Sequence, residues 1–179
     1  MAKSITHERS YSSERFFQMI NLALFYLKEL GVRDVSQMNL HKVLWYIDFV
    51  YHRDLGKSIS CKNYQANKNG PTNKFLDLFK EFPPTREKKY SGGVLKLYEH
   101  DEKSFDFSKL SFNEKAVIAE VCKIVAPLLK NNKLWSFIHE NENSYLEIYE
   151  KNPGGDIPYE KSADIKIDRD YRAKILAEC

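Results

Sequence analysis

Three residues with ligating or acid–base side chains lie on one predicted helix. They are His41, Asp48 and His52, and the steps of seven and four residues between them place them on one helical face. Asp48 and His52 could both reach one metal ion, and His139 is the one further histidine that could complete such a site. The alternative is a polar stripe that hydrogen-bonds a neighbouring segment or faces water. We favour this alternative and predict no metal site.

Signals for other catalytic chemistry are weak. The sequence has no GxSxG motif, and Cys61, Cys122 and Cys179 are far apart, without a CxxC pair or recognisable catalytic flanks. The glycine pairs in SGGV and NPGGD match neither a P-loop nor GxGxxG and are typical of turns. An enzyme is therefore possible but unsupported by these residues, no cofactor is expected, and the cysteine usage fits a reducing cytoplasmic setting.

Charge is unevenly distributed along the 179 residues, whose formal net charge is +3. Residues 1–96 hold 16 Lys and Arg against 9 Asp and Glu, whereas residues 97–179 hold 12 against 16. The basic excess lies mainly between Lys57 and Lys96. It could meet nucleic acid or an acidic protein surface, although a solvated, solubilising surface explains it more simply. Lysines outnumber arginines, which argues against base-specific contacts with nucleic acid.

Two apolar helices are predicted to form the core. One covers residues 13–30, with Ser12 or Ser13 as its N-cap and Gly31 at its end, and the other covers residues 39–55 and also ends at a glycine. Each is apolar around most of its circumference, which is typical of helices inside a helical domain. No apolar run reaches the roughly 18 residues of a membrane span, so no membrane partner is expected.

The middle of the chain predicts loops and a hairpin. KSISCKNYQANKNG favours a loop with a short extended piece, and Pro71 then suits the first turn of a helix over residues 72–82. FPPTREKKYSGG favours a mobile basic loop. VLKLYEH alternates and predicts a strand, with SFDFSKL as its hairpin partner.

The last third predicts more helices. Ser111 and Glu114 form a capping box for a helix that ends near Leu129, where Pro127 should kink or shorten it. Short helices over residues 133–139, 142–150 and 168–177 should follow, with a turn and extended chain in NPGGDIPYEKS. The predicted fold is mainly α with a small β-hairpin (α+β), in a single compact helical domain over residues 1–179 whose core spans about 14–165.

Two sequence blocks resemble a known family. LHKVLWYIDFVYHRDLGKSISCKNYQANKNGP contains Lys-x-Leu-x-Tyr, an acidic residue, a glycine, an aromatic residue and Gly-Pro. WSFIHENENSYLEIYEKNPGGDIPYEKSADI contains His-Glu, an aromatic residue and Ile-Pro-Tyr. In order and spacing, these blocks resemble the Panacea or SocA-like antitoxin domain of phage-associated proteins and bacterial toxin–antitoxin operons. The matching positions are Lys42, Leu44, Tyr46, Asp48, Gly56, Ile59, Tyr64, Gly70, Pro71, His139, Glu140, Tyr145, Ile157, Pro158 and Tyr159.

The resemblance implies a mostly helical domain without catalytic residues that neutralises a toxin by direct contact. We therefore expect a cytoplasmic antitoxin of a bacterial or prophage toxin–antitoxin system, whose partner is a cognate toxin encoded next door. The residues expected to bind this partner or to organise the motif blocks are Lys42, Tyr46, Asp48, Tyr64, Gly70, Pro71, His139, Glu140, Tyr145, Pro158 and Tyr159.

Other functions stay open at this point. The protein could be an adaptor that delivers the toxin to a protease, as in one branch of the family, or a phage-encoded regulator of a host protein. A metal-dependent enzyme using Asp48, His52 and His139, or a nucleic-acid binder using the lysine-rich region, has less support.

Overall fold

One helix with a fully buried middle, α2 (Gln37–Leu55), lies at the centre of the fold. Every side chain from Leu40 to Tyr51 is buried. Ser36 caps its start by accepting a hydrogen bond from the amide of Asn39 at 3.2 Å, and Gly56 ends it in a left-handed conformation, with φ at 68°. The computed structural model describes residues 3–73, 82–104 and 106–166.

The preceding helix, α1 (Lys3–Glu29), is longer than predicted. It begins at Lys3, so Ser12 and Ser13 lie inside it and neither is its N-cap. The polar N-terminal residues carry no apolar period, but a helix propagates easily from a segment that is already packed. Its end agrees with the prediction, because Gly31 follows with φ at 78°.

A third long helix, α3 (Phe112–Lys130), packs against α1 and α2. Its predicted capping box is confirmed, with Ser111 and Glu114 bonding each other's backbone amides. Glu114 also forms an ion pair with Arg15 of α1. Pro127 lies in the last turn and does not stop the helix, which runs on to Lys130.

Two short helices and a turn follow. They are α4 (Leu134–Asn141) and α5 (Asn143–Lys151), each within two residues of its predicted bounds. The chain after them forms a two-residue strand, β6 (Asp156–Ile157), and stays extended through Pro158. The segment Tyr159–Asp164 is a 3-10 helix, where extended chain was predicted.

The first of two small antiparallel sheets contains β1 (Val35–Ser36), β4 (Arg86–Tyr90) and β5 (Gly93–Tyr98), in the order β1-β5-β4. The strand predicted in VLKLYEH is present, but its assigned partner is wrong. SFDFSKL contains a 3-10 turn at Phe107–Lys109, and β5 pairs with β4. Since every β4 residue is exposed, no apolar alternation in the sequence indicated this strand.

The second sheet contains β2 (Tyr64–Asn67), β3 (Gly70–Asn73) and β6, in the order β3-β2-β6. Pro71 therefore lies in a strand, so the prediction that it starts a helix is wrong. Among the described strands β3 is at the edge of this sheet, where a residue without an N–H is tolerated. The rest of the predicted 72–82 helix, up to residue 81, and the terminal helix over 168–177 lie outside the described residues.

The predicted α+β class is confirmed, with two small sheets on a mainly helical frame. The core is built from the buried faces of α1, α2 and α3, with apolar residues of the sheets and short helices packed around them. None of the helices that the structure describes is long and apolar enough to cross a membrane.

Glu114 should be a strong determinant of stability, because it is 2% exposed and serves both the α3 cap and the Arg15 ion pair. We expect Glu114→Ala to lower the free energy of unfolding by about 3 kcal/mol. Ser111→Ala removes only one cap bond and should cost about 1 kcal/mol. Urea unfolding measures both, and equal losses would contradict a role for the ion pair.

Candidate functional site

The buried carboxylate of Asp48 holds the loop that follows α2. Its Oδ1 accepts hydrogen bonds from Ser58 Oγ at 3.1 Å and from the amides of Ile59 and Ser60, each at 2.9 Å. Its Oδ2 accepts from Tyr64 Oη at 2.7 Å and from Ser60 Oγ. Burial raises the pKa of Asp48, while these hydrogen bonds lower it. Five donors around two oxygens match an ionised carboxylate, which only accepts.

Tyr159, from the second motif block, covers this loop. Its Oη donates to the carbonyl of Lys62 at 2.7 Å and lies 2.8 Å from Ser58 Oγ. Its ring stacks on Phe49 of α2, with centroids 4.9 Å apart. Pro158 supplies the extended residue before the 3-10 helix. Burial raises the pKa of Tyr159, so its hydroxyl stays protonated and remains a donor.

Tyr46 of α2 joins the two short helices through Glu142. Its Oη donates to Glu142 Oε1 at 3.0 Å, and the amide of Lys166 donates to Glu142 Oε2 at 3.3 Å. Burial raises the pKa of Glu142 to about 7. The sequence pointed to Glu140 instead, which lies exposed on α4. Both glutamates occur in HENE, and no local pattern shows which one is buried.

The first turns of α2 hold the hairpin β2–β3. Lys42 is 2% exposed, and its Nζ donates to the carbonyl of Met38 at 3.1 Å. A Cβ at Gly70 would lie 2.8 Å from Lys42 Cε, and Gly70 has φ at 101°, so only glycine fits there. Burial lowers the pKa of Lys42 to about 8. Pro71 follows Gly70 and lies opposite Ala66 in the strand register.

His41, next to Lys42, fixes the far end of β3. Its Nδ1 accepts a hydrogen bond from the amide of Asn73 at 3.2 Å. Burial lowers the pKa of His41 to about 4, with the nearby Lys42 charge adding to the effect. The imidazole is therefore neutral at pH 7, and its Nδ1 carries no proton.

Tyr145 and His139 hold the turn between β2 and β3. Tyr145 Oη donates to the carbonyl of Asn67 at 2.8 Å and lies 2.9 Å from His139 Nε2. The same nitrogen is 3.2 Å from the carbonyl of Lys68. The ring of His139 stacks on Trp135, with centroids 4.1 Å apart. Residues of the second block thus bind the β2–β3 turn, which belongs to the first block.

The structure brings nearly all the predicted residues into one connected region around α2. Asp48 with Tyr64, Tyr46 with Glu142, and Lys42 with Gly70 are its three anchoring contacts. Glu140 is the exception at the exposed surface of α4. The remaining members are Pro71, His139, Tyr145, Pro158 and Tyr159.

The three residues considered for metal binding, Asp48, His52 and His139, each make a different structural contact. Asp48 is occupied by the five donors of its loop, and His52 Nδ1 lies 2.8 Å from Ser162 Oγ. His139 holds the β2–β3 turn. Throughout the described ranges, no three His, Cys, Asp or Glu side chains are grouped as a metal site would require. The metal-dependent alternative has no geometric support in these ranges.

A comparison with protein families matches most of the region just described, although Tyr145, Pro158 and Tyr159 lie beyond the matched residues. The family model for the antitoxin SocA-like Panacea domain matches residues 40–144, which is more than half of the chain. The match begins in α2, includes both hairpins and ends beside Tyr145. No curated protein and no solved structure matches the chain.

We expect Asp48→Asn to lower the free energy of unfolding by about 3 kcal/mol or more. The side-chain NH₂ of asparagine would face N–H and O–H groups that now donate to a carboxylate oxygen. Urea unfolding followed by tryptophan fluorescence measures the loss. Asp54→Asn is the control on the same helix, since Asp54 is an exposed ion-pair partner of Arg53 and should change stability by less than about 0.5 kcal/mol. Similar losses in both variants would contradict a role of Asp48 as the anchor of the loop.

Glu142 should give the protein a characteristic pH dependence. Its pKa rises from 4.5 to about 7 on folding, so its contribution to stability is full below pH 4.5 and is lost as the pH rises through 7. Relative to Glu142→Gln, the wild type should lose about 3 kcal/mol over this window. Urea unfolding at several pH values measures the difference. Glu140→Gln is the exposed control, and a pH-independent difference for Glu142→Gln would refute the prediction.

Proposed function

Because this chain belongs to the SocA-like Panacea antitoxin family, we propose that it neutralises a cognate toxin by direct protein–protein binding. The observation that carries the proposal is the family match itself, which covers α2 and both hairpins. The partner would be a toxin encoded by the adjacent gene, in a bacterial or prophage toxin–antitoxin system.

The geometry supports a binding role without catalysis. The polar side chains of α2 point at other segments of the same chain: Asp48 at its loop, Tyr46 at Glu142 and His41 at β3. Each is buried and already hydrogen-bonded, so it holds structure in place and is not presented to a substrate. A frame of this kind positions exposed loops for a partner.

We propose that the toxin binds a surface called the turn face, made of Lys68, Asn69 and Trp135. Lys68 and Asn69 are the exposed residues of the β2–β3 turn. Trp135 is 50% exposed and is linked to this turn through His139, which stacks on its ring and lies beside the Lys68 carbonyl. Tryptophan is enriched among the residues that dominate binding energy.

Co-expression tests the proposal. The product of the adjacent gene should arrest growth when expressed alone in a bacterial host, and the wild-type chain should restore growth. Trp135→Ala and, separately, Lys68→Glu should weaken the rescue, because each alters the turn face. Phe112→Ala is the matched control, since this aromatic side chain is 83% exposed at the start of α3.

The outcomes separate the parts of the proposal. An adjacent gene product that is harmless alone would contradict the antitoxin function. Full rescue by the folded Trp135→Ala and Lys68→Glu variants would refute the turn face alone. The lifetime of the toxin distinguishes masking, which leaves it unchanged or longer, from delivery to a protease, which shortens it.

A further inference from the structure

The hairpin β4–β5 is an exposed basic ribbon. All five residues of β4 are exposed. At the tip, Tyr90 is 59% exposed and Val94 is 48% exposed, although both are large enough to be buried in a core. The fold therefore presents this ribbon to the solvent along its whole outer strand.

Within the described part of the chain, β4 forms one edge of its sheet. In the sheet order β1-β5-β4, strand β4 is the outermost of the described strands. An edge strand offers N–H and C=O groups in the spacing that another strand requires. Peptide segments bind to such edges by adding a strand, with main-chain hydrogen bonds supplying affinity.

The charges of β4 indicate which charge a strand added at this edge should carry. Arg86 is bound to Asp34, and Glu87 lies opposite Lys96 in the register. Lys88 and Lys89 lie opposite Leu95 and Val94, so no acidic residue faces them across the ribbon. These two lysines leave the edge positively charged.

A second copy of the chain matches the charges of this edge less completely. Antiparallel self-pairing centred on Lys88 would place Glu87 opposite Lys89 on both sides but Lys88 opposite itself, and like charges directly across a strand pair are destabilising. An acidic segment would instead meet opposite charges at Lys88 and Lys89. Charge complementarity therefore favours an acidic partner.

The ribbon is anchored at the end of α2 that also holds the turn face. Ser36 caps α2 and pairs with Leu97 of β5. His41 and Lys42, in the second turn of α2, hold β3 and Gly70. Both hairpins are thus fixed to the first two turns of one helix.

We propose that the β4 edge binds an acidic, extended segment of a protein partner as an added strand, with Lys88 and Lys89 supplying the charge complementarity. This inference rests on the proposed function insofar as the toxin is that partner. The competing explanation is protective, since lysines on edge strands also prevent aggregation, and it predicts no binding of an acidic strand.

A peptide tests the edge without the toxin. The probe is a fluorescein-labelled peptide of alternating Glu-Glu and Thr-Thr pairs, about ten residues long. The Glu pairs present carboxylates on both faces of an added strand, as Lys88 and Lys89 require, and fluorescence anisotropy measures binding to the full chain. Lys88→Glu/Lys89→Glu should weaken binding about tenfold or more. Lys57→Glu/Lys123→Glu changes the net charge equally at exposed positions elsewhere and should leave the affinity unchanged.

The peptide results decide the inference in every case. Ribbon-dependent binding that weakens with added salt supports it. No binding, or an equal loss in both double variants, overturns it. Ribbon-dependent binding of a single-stranded oligonucleotide of similar charge, with no binding of the peptide, overturns it in favour of a nucleic-acid surface.

The toxin assay keeps the two proposals separable. If the wild type and Lys88→Glu/Lys89→Glu rescue growth equally, the toxin does not use the ribbon. The toxin is then not the partner of the β4 edge, while the antitoxin function stands and the peptide result still decides the acidic-strand site. If the peptide binds as expected but the adjacent gene product is harmless, the antitoxin function fails while the acidic-strand site stands.

Discussion

A helix that is buried on every side must find partners for its polar side chains inside the protein, and this constraint shapes the structure. α2 carries several such side chains along its length. An unpaired polar group in the interior costs free energy comparable to a lost hydrogen bond or more. Asp48 meets the requirement most completely, by drawing the amides and hydroxyls of the next loop around its two oxygens.

The same requirement joins the two motif blocks. Tyr46 needs an acceptor and takes Glu142, and Glu142 in turn fixes the junction of α4 and α5. That junction sets the positions of His139 and Tyr145 against the β2–β3 turn. Because each partner comes from a distant part of the chain, satisfying one helix orders most of the second block. This is how a buried helix leads to a precisely held surface turn.

Burial shifts the ionisable groups near α2 in a consistent way. The pKa of Glu142 rises, whereas the pKa values of His41 and Lys42 fall. Each shift favours the neutral form, as a medium of low polarity requires. Burial raises the pKa of Asp48 as well, although its five hydrogen-bond donors oppose this rise by stabilising the negative charge. The buried polar groups thus stabilise the fold, whereas the exposed lysines of the two hairpins can attract a partner.

The sequence predicted what depends on local signals and missed what depends on distant ones. The end of α2 follows from Gly56, and the start of α3 follows from Ser111 and Glu114, because caps act within one turn. Strand β4 was missed because its exposed, charged residues show no apolar alternation, and only its pairing with β5 makes it a strand. Glu142 was missed because its burial is decided by the reach of Tyr46, ninety-six residues earlier.

The residues that hold the fold together and the residues that a partner can contact are different. The side chains that hold the fold, such as Asp48 and Tyr145, are buried, while Lys68, Lys88 and Lys89 are exposed. Substitutions at separated, independent sites change stability nearly additively, and surface changes usually change it little. The hairpin surfaces can therefore vary in charge and shape while the network beneath them stays intact. A protein built in this way can be adapted to a different protein partner without a change of fold.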